Sequence, residues 1–259
     1  MPHCAPTLLV IITCLALLPS FARSVEEPLL RIGMVADNHY DTFPAGEWAF
    51  DWQSKENWMR EQVKRTTGNK RRYDLAKDKM DEAIDVFNRI EDLTMVVNLG
   101  DMVNNDLMWN LKPILDCFNR AKAPHYNMLG NHDLRAHNDR FGKHNKSQHD
   151  WIRGKMGTGD RWYFTLFYPP FKLIFVDSMV VERENTNDTS RQEHLTWLRQ
   201  EIDEAATLQQ VVIIFAHIPI GFNTNQYLGP IMKTYEHTIA AFFGHDHKGG
   251  YVKQQHTHC

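Results

Sequence analysis

Five short apolar runs in this chain each end on aspartate, asparagine or histidine, and that repetition limits the folds open to it. Leu30–Ala36 runs into Asp37-Asn38-His39, and Leu93–Leu99 (LTMVVNL) runs into Gly100-Asp101. His125–Leu129 stops at Gly130-Asn131-His132-Asp133. Gln210–Ala216 (QVVIIFA) meets His217-Ile218-Pro219, and Ile239–Phe243 meets Gly244-His245-Asp246-His247. Apolar runs of this length closed by glycine or a polar turn read as buried strands. Trp162–Tyr168 and Phe171–Val176, flanking Pro169-Pro170, read as two adjacent strands.

Helical periodicity fills the gaps. Ala76, Met80, Ala83, Ile84 and Phe87 make an apolar stripe on a charged segment, and further helices are expected over Asp106–Arg120 and Gln192–Ala206. Alternation of this kind predicts an α/β fold. In such sheets ligands gather beyond the carboxyl ends of the strands, where these polar clusters fall. Each cluster alone has a plain structural explanation: Asp after a strand is often a turn former, and His217 could be a loop histidine. Five in series point to one metal-binding site instead.

At 259 residues the chain suits one large domain, and no repeat, low-complexity tract or Gly/Ser linker divides it. Its 29 basic and 32 acidic residues nearly balance, so no nucleic-acid surface is expected. Residues 1–22 read as a secretory signal peptide: Leu8–Leu18 is apolar but too short to span a bilayer, and Ser20-Phe21-Ala22 offers a cleavage site. The domain would then occupy 23–259, in the secretory lumen or outside the cell. Cleavage would leave Cys117 and Cys259, enough for one disulfide at most. Asn145-Lys146-Ser147 and Asn187-Asp188-Thr189 are glycosylation sequons, which suits a secreted glycoprotein.

The ordered series D-x-H (Asp37, His39), G-D (Gly100, Asp101), G-N-H-D (Gly130–Asp133), A-H-x-P (Ala216–Pro219) and G-H-x-H (Gly244–His247) resembles the calcineurin-like metallophosphoesterases. The resemblance implies a four-layer α/β/β/α sandwich. Its second sheet would be built from the Trp162–Val176 strands and be either truncated or smaller than the family's, since little chain follows Gly-His-x-His. It also implies two divalent metal ions (Mn, Fe or Zn). Asp37, His39 and His247 would hold one, Asn131, His217 and His245 the other, and Asp101 would bridge them. Such a pair lowers the pKa of a bridging water and clamps the phosphoryl group under attack. Imidazole with carboxylate suits Mn, Fe or Zn better than Ca.

By the same resemblance His132 faces the leaving group as proton donor or phosphate stabiliser, and Asn131 also meets substrate. Asp133 either orients His132 or caps the following turn. Arg71-Arg72-Tyr73, a helix with Phe87-Asn88, and "GHDHKGGY" together look like the manganese-dependent ADP-ribose/CDP-alcohol diphosphatases. Arg71 and Arg72 would then fork a second phosphate, or else simply open a solvated helix. Purple acid phosphatases carry a tyrosine shortly after G-D, absent here, and sphingomyelinase-like phosphodiesterases are cysteine-rich. The Asp41–Lys70 insertion, with Trp48, Phe50, Trp52 and Trp58, suits an aromatic wall or ordinary loop packing. His256 and His258 read as strand rather than ligands. The expected substrate is a phosphorylated small molecule or nucleotide. The alternatives are a phosphomonoesterase or phosphodiesterase of another branch, or a non-catalytic scaffold. Scaffold relatives lose ligands, whereas all seven positions and His132 are present here.

Overall fold

In a computed structural model the described residues are 10–13, 29–42, 72–104, 107–135, 161–178, 188–219, 238–247, 249–251, 253–254 and 257–258. Arg71, the Trp48–Trp58 cluster, both sequon asparagines, His256 and Cys259 lie outside them. The chain divides into two compact units. One comprises 1–98 and 102–126, the other 99–101 and 127–259.

The first unit is organised around a sheet of order β1-β2-β3-β4: β1 Val10–Thr13, β2 Arg31–Val35, β3 Met95–Asn98 and β4 His125–Asn127. β1 runs antiparallel to β2, pairing Val10 with Met34 and Thr13 with Arg31. β2 and β3 run parallel, pairing Val35 with Asn98, so both ends lead into predicted ligand clusters from the same edge. A 3-10 turn at Tyr73–Leu75 feeds α1 (Ala76–Phe87). The stripe expected there is real: Met80, Ile84 and Phe87 are buried. Phe87 lies so close to Gly33 of β2 that a Cβ there would sit 2.9 Å from its ring, which is why this strand carries glycine. α2 (Leu107–Phe118) is tied to α1 through Arg120, which bonds Asp81 and Asp85 just beyond the helix.

The second unit holds a six-stranded sheet of order β5-β6-β7-β8-β10-β9. β5 (Phe164–Tyr168) and β6 (Phe171–Phe175) pair antiparallel, as their spacing suggested. β7 (Val211–Ala216) and β8 (Thr238–Phe243) then add in parallel, so the sheet is larger than the Trp162–Val176 strands alone. Two short strands, β9 (Lys253–Gln254) and β10 (Thr257–His258), extend it, and His258 pairs with Ala240 as strand. β6 and β7 are buried along their whole length, the mark of parallel strands covered on both faces. On one face, Ile174, Val176, Val212, Ile214, Ala216 and Ala241 pack with Leu195, Leu198, Ile202 and Ala205. Those four, at helical spacing, belong to α4 (Asp188–Thr207). Lys172, on the same face of β6, reaches Glu201 Oε2 of α4 at 2.7 Å. A five-residue helix, α3 (Asn131–Arg135), starts within the predicted ligand series.

Candidate metal centre

Each predicted ligand sits where a strand stops, and the backbone there is unusual. Among the described residues seven non-glycines have positive φ, and five of them are Asp37, His39, Asp101, His245 and His247. The left-handed region is unfavourable for residues with a Cβ and gathers where geometry is imposed by function.

At the end of β2, Asp37 Oδ1 lies 3.8 Å from His39 Nε2, and His39 is 1% exposed. Its ring stacks on Tyr73 with centroids 5.6 Å apart. Arg72, next to Tyr73, forks Asp74 at 3.0 and 2.7 Å in an exposed pair.

The second unit builds a cluster of its own. Gly100 takes a φ of +105°, and Asp101 follows, 1% exposed. Asp101 Oδ1 accepts the His132 backbone N–H at 2.7 Å, and a Cβ on Gly130 would lie 2.1 Å from that oxygen. Only glycine permits so close an approach of these two loops. Asp133 is wholly buried and its Oδ2 accepts the Gly130 N–H at 2.8 Å.

His217 decides what the cluster can hold. Its Nδ1 lies 2.9 Å from the Leu99 carbonyl, an acceptor only, so Nδ1 carries the proton. With the ring neutral, Nε2 presents a lone pair. That lone pair faces Asn131 Oδ1 at 3.1 Å and Asp101 Oδ2 at 3.3 Å. His245 Nδ1 comes to the same Asn131 oxygen at 2.8 Å. The ligand atoms of Asp101, His217 and His245 all lie within 4.8 Å of one another. A lone pair on the buried His217 Nε2 would repel the buried Asp101 carboxylate unless a cation lay between them. Imidazole, carboxylate and amide oxygen without thiolate form a donor set that fits a divalent transition metal.

Ser178 is a contributor that the sequence reading missed. It lies three residues past β6, and its Oγ accepts the Ile218 N–H at 2.9 Å, next to His217, while the Gly244 N–H bonds the His217 carbonyl at 2.9 Å. Val176-Asp177-Ser178 is another polar strand end, and that position was the available signal. Cys117 is a buried free thiol, and burial pushes it up to about 12.

The calcineurin-like phosphoesterase family profile matches residues 30–249. This chain belongs to that family. A manganese-dependent ADP-ribose/CDP-alcohol diphosphatase of Oryza sativa subsp. japonica is 23% identical, over 90% of this chain and 82% of its own length. The crystal structure of a dimetal phosphatase from Danio rerio superposes with a TM-score of 0.65 at 14% identity, covering 90% of this chain and 86% of that one. The anchor in the inner membrane complex of Plasmodium gives 0.57 at 14% identity, covering 88% and 70%. The calcineurin-like chain described here therefore has the metallophosphoesterase fold, two sheets with helices, and is a phosphoester hydrolase that takes two divalent metal ions. Among the described residues no helix is long and apolar enough to cross a membrane.

Proposed function

We propose that this phosphoesterase cleaves the diphosphate of an ADP-ribose or CDP-alcohol type of substrate, with manganese, in the secretory pathway. The observation that carries the substrate reading is the stacking of Tyr73 on His39, which sets Arg72 beside a ligand residue. A diphosphate has one phosphoryl group under attack and a second that stays charged and needs a partner. Arg72 is spent on Asp74, but an exposed pair is worth about 0–1 kcal/mol. A charge-assisted bond to phosphate is worth about 1.5–3 kcal/mol, so exchange is favourable. Manganese-dependent ADP-ribose/CDP-alcohol diphosphatases of rice and human, each 23% identical, support the same reading.

Asp37, His39 and His247 are assigned to one ion, Asn131, His217 and His245 to the other, and Asp101 to both. Bound divalent ions supply Lewis acidity toward the phosphoryl oxygens and acidify water. The protein residues do the rest. Asp101, its Oδ1 fixed by the His132 N–H, would supply negative charge to both ions. Asp133 accepts the Gly130 N–H across the turn that carries His132, and the His132 imidazole would protonate the leaving phosphate oxygen or stabilise the phosphate. Support for the secretory reading comes from the apolar Leu8–Leu18 run before Ser20-Phe21-Ala22.

The test is the double substitution Arg71→Ala/Arg72→Ala. Its expected cost is about ten- to a hundredfold in kcat/KM for ADP-ribose or CDP-choline, since each 1.4 kcal/mol is tenfold, with p-nitrophenyl phosphate spared. If both substrate types decline together, or neither does, the pair does not read a second phosphate.

A further inference from the structure

Asp37 at φ 56° and His39 at φ 49° put two left-handed residues into one three-residue turn. Such conformations cost about 1–3 kcal/mol each and persist only where the surroundings over-determine them. The surroundings here are a clasp centred on Asp41, two residues beyond His39. Asp41 Oδ2 accepts from Asn104 Nδ2 at 2.9 Å, and Oδ1 accepts from Asn110 Nδ2 at 3.1 Å. The Thr42 N–H donates to Asn110 Oδ1 at 3.1 Å. A backbone N–H can only donate, so that bond fixes which way the Asn110 amide points and turns its NH2 toward Asp41. Around the clasp, the Tyr40 N–H reaches Met102 O and the Asn104 N–H reaches Tyr40 O, each at 3.0 Å. The Asp41 N–H points to Tyr73 O at 3.4 Å. Asn110 is wholly buried and Asn104 is 5% exposed.

We propose that Asp41 is a positioning residue that sets the affinity of the metal position served by Asp37 and His39, with Asn104 and Asn110 as its partners. The proposal rests on the ligand assignment above. The residue type follows from the donors: two amide NH2 groups converge on this side chain, and only a carboxylate offers an acceptor to both. An asparagine would turn a donor toward a donor. Outer partners of this kind typically govern metal affinity by about 10–100-fold. The clasp also explains how a turn with two unfavourable backbone conformations keeps one shape.

Titration of the metal-stripped full chain with Mn2+, followed by calorimetry, tests the idea. Asp41→Asn is expected to weaken one of two Mn2+ sites by about 10–100-fold and leave the other unchanged. The exchange Asp41→Asn/Asn104→Asp swaps donor and acceptor across one bond and is expected to recover part of that affinity. Unchanged affinities in Asp41→Asn, alongside loss of one site in His39→Ala, overturn the proposal alone. Two intact sites in His39→Ala overturn the ligand assignment and the proposal with it. Equal weakening of both sites, with a lower metal-free melting temperature, means a general structural role and also overturns it. Should Asp41→Asn not fold, Asn104→Ala removes one donor and keeps the charge: selective weakening of one site supports the clasp, and unchanged affinities sink it.

Discussion

His194 of α4 is wholly buried against Tyr163, with ring centroids 4.2 Å apart, and meets Trp197 edge-on at 5.4 Å. Among the described residues neither of its ring nitrogens has a hydrogen-bond partner, and burial lowers its pKa to about 4. Unfolded, the same ring titrates near 6.5, so acid favours the unfolded chain, which binds the proton first. The stability this residue preserves is complete above pH 6.5 and is lost as pH falls from there toward 4. The whole effect is on the order of 3 kcal/mol. His194→Phe should therefore flatten the decline in melting temperature between pH 6.5 and 4. His125, stacked on Phe118 and also lowered by burial, leaves a smaller slope in that variant. An unaltered pH profile in His194→Phe would falsify the assignment.

At the scale of elements, β1 is the telling case. Val10–Thr13 lies within the apolar stretch read as a signal peptide, and it pairs with β2 over four residues. The two readings exclude each other in the mature protein: cleavage after Ala22 takes β1 away and leaves β2 flanked by β3 alone. Without β1, β2 keeps its parallel pairing to β3 and the Phe87 contact at Gly33. The expected outcome is that the domain folds without β1. Secretion from a eukaryotic host followed by N-terminal sequencing should return Arg23 as the first residue. A chain retained inside the cell that still carries Val10–Thr13 would end the secretory reading.

For the whole molecule, metal and folding are linked. A neutral His217 turns a lone pair toward the Asp101 carboxylate, both of them buried, and several predicted ligand residues stand in left-handed backbone. A divalent cation relieves that repulsion in the folded chain and finds no such site in the unfolded one. Ligand binding to the native state alone stabilises it by about 2.7 kcal/mol at a hundredfold excess over Kd. Mn2+ should accordingly raise the melting temperature by several degrees, and chelation should lower it. A melting temperature indifferent to both would show that the cluster binds no metal.

The sequence alone marked the strands β2 to β8, the helices α1, α2 and α4, and the kinds of atom at the strand ends. Apolar runs closed by glycine can be read locally, because a buried strand and its turn are short-range matters. The runs that became β2, β3, β7 and β8 are cases in point, and the α1 stripe of Met80, Ile84 and Phe87 is another. The tertiary structure decided what no local pattern encodes. Asp41 meets partners 63 and 69 residues away, Ser178 supports a turn 40 residues on, and His217 bonds a carbonyl 118 residues back. Residue type said which side chains could bind a metal. Only contacts of that separation fix the left-handed turns and the tautomer that aim them, because the strain of such a turn must be balanced by groups brought together from distant parts of the chain.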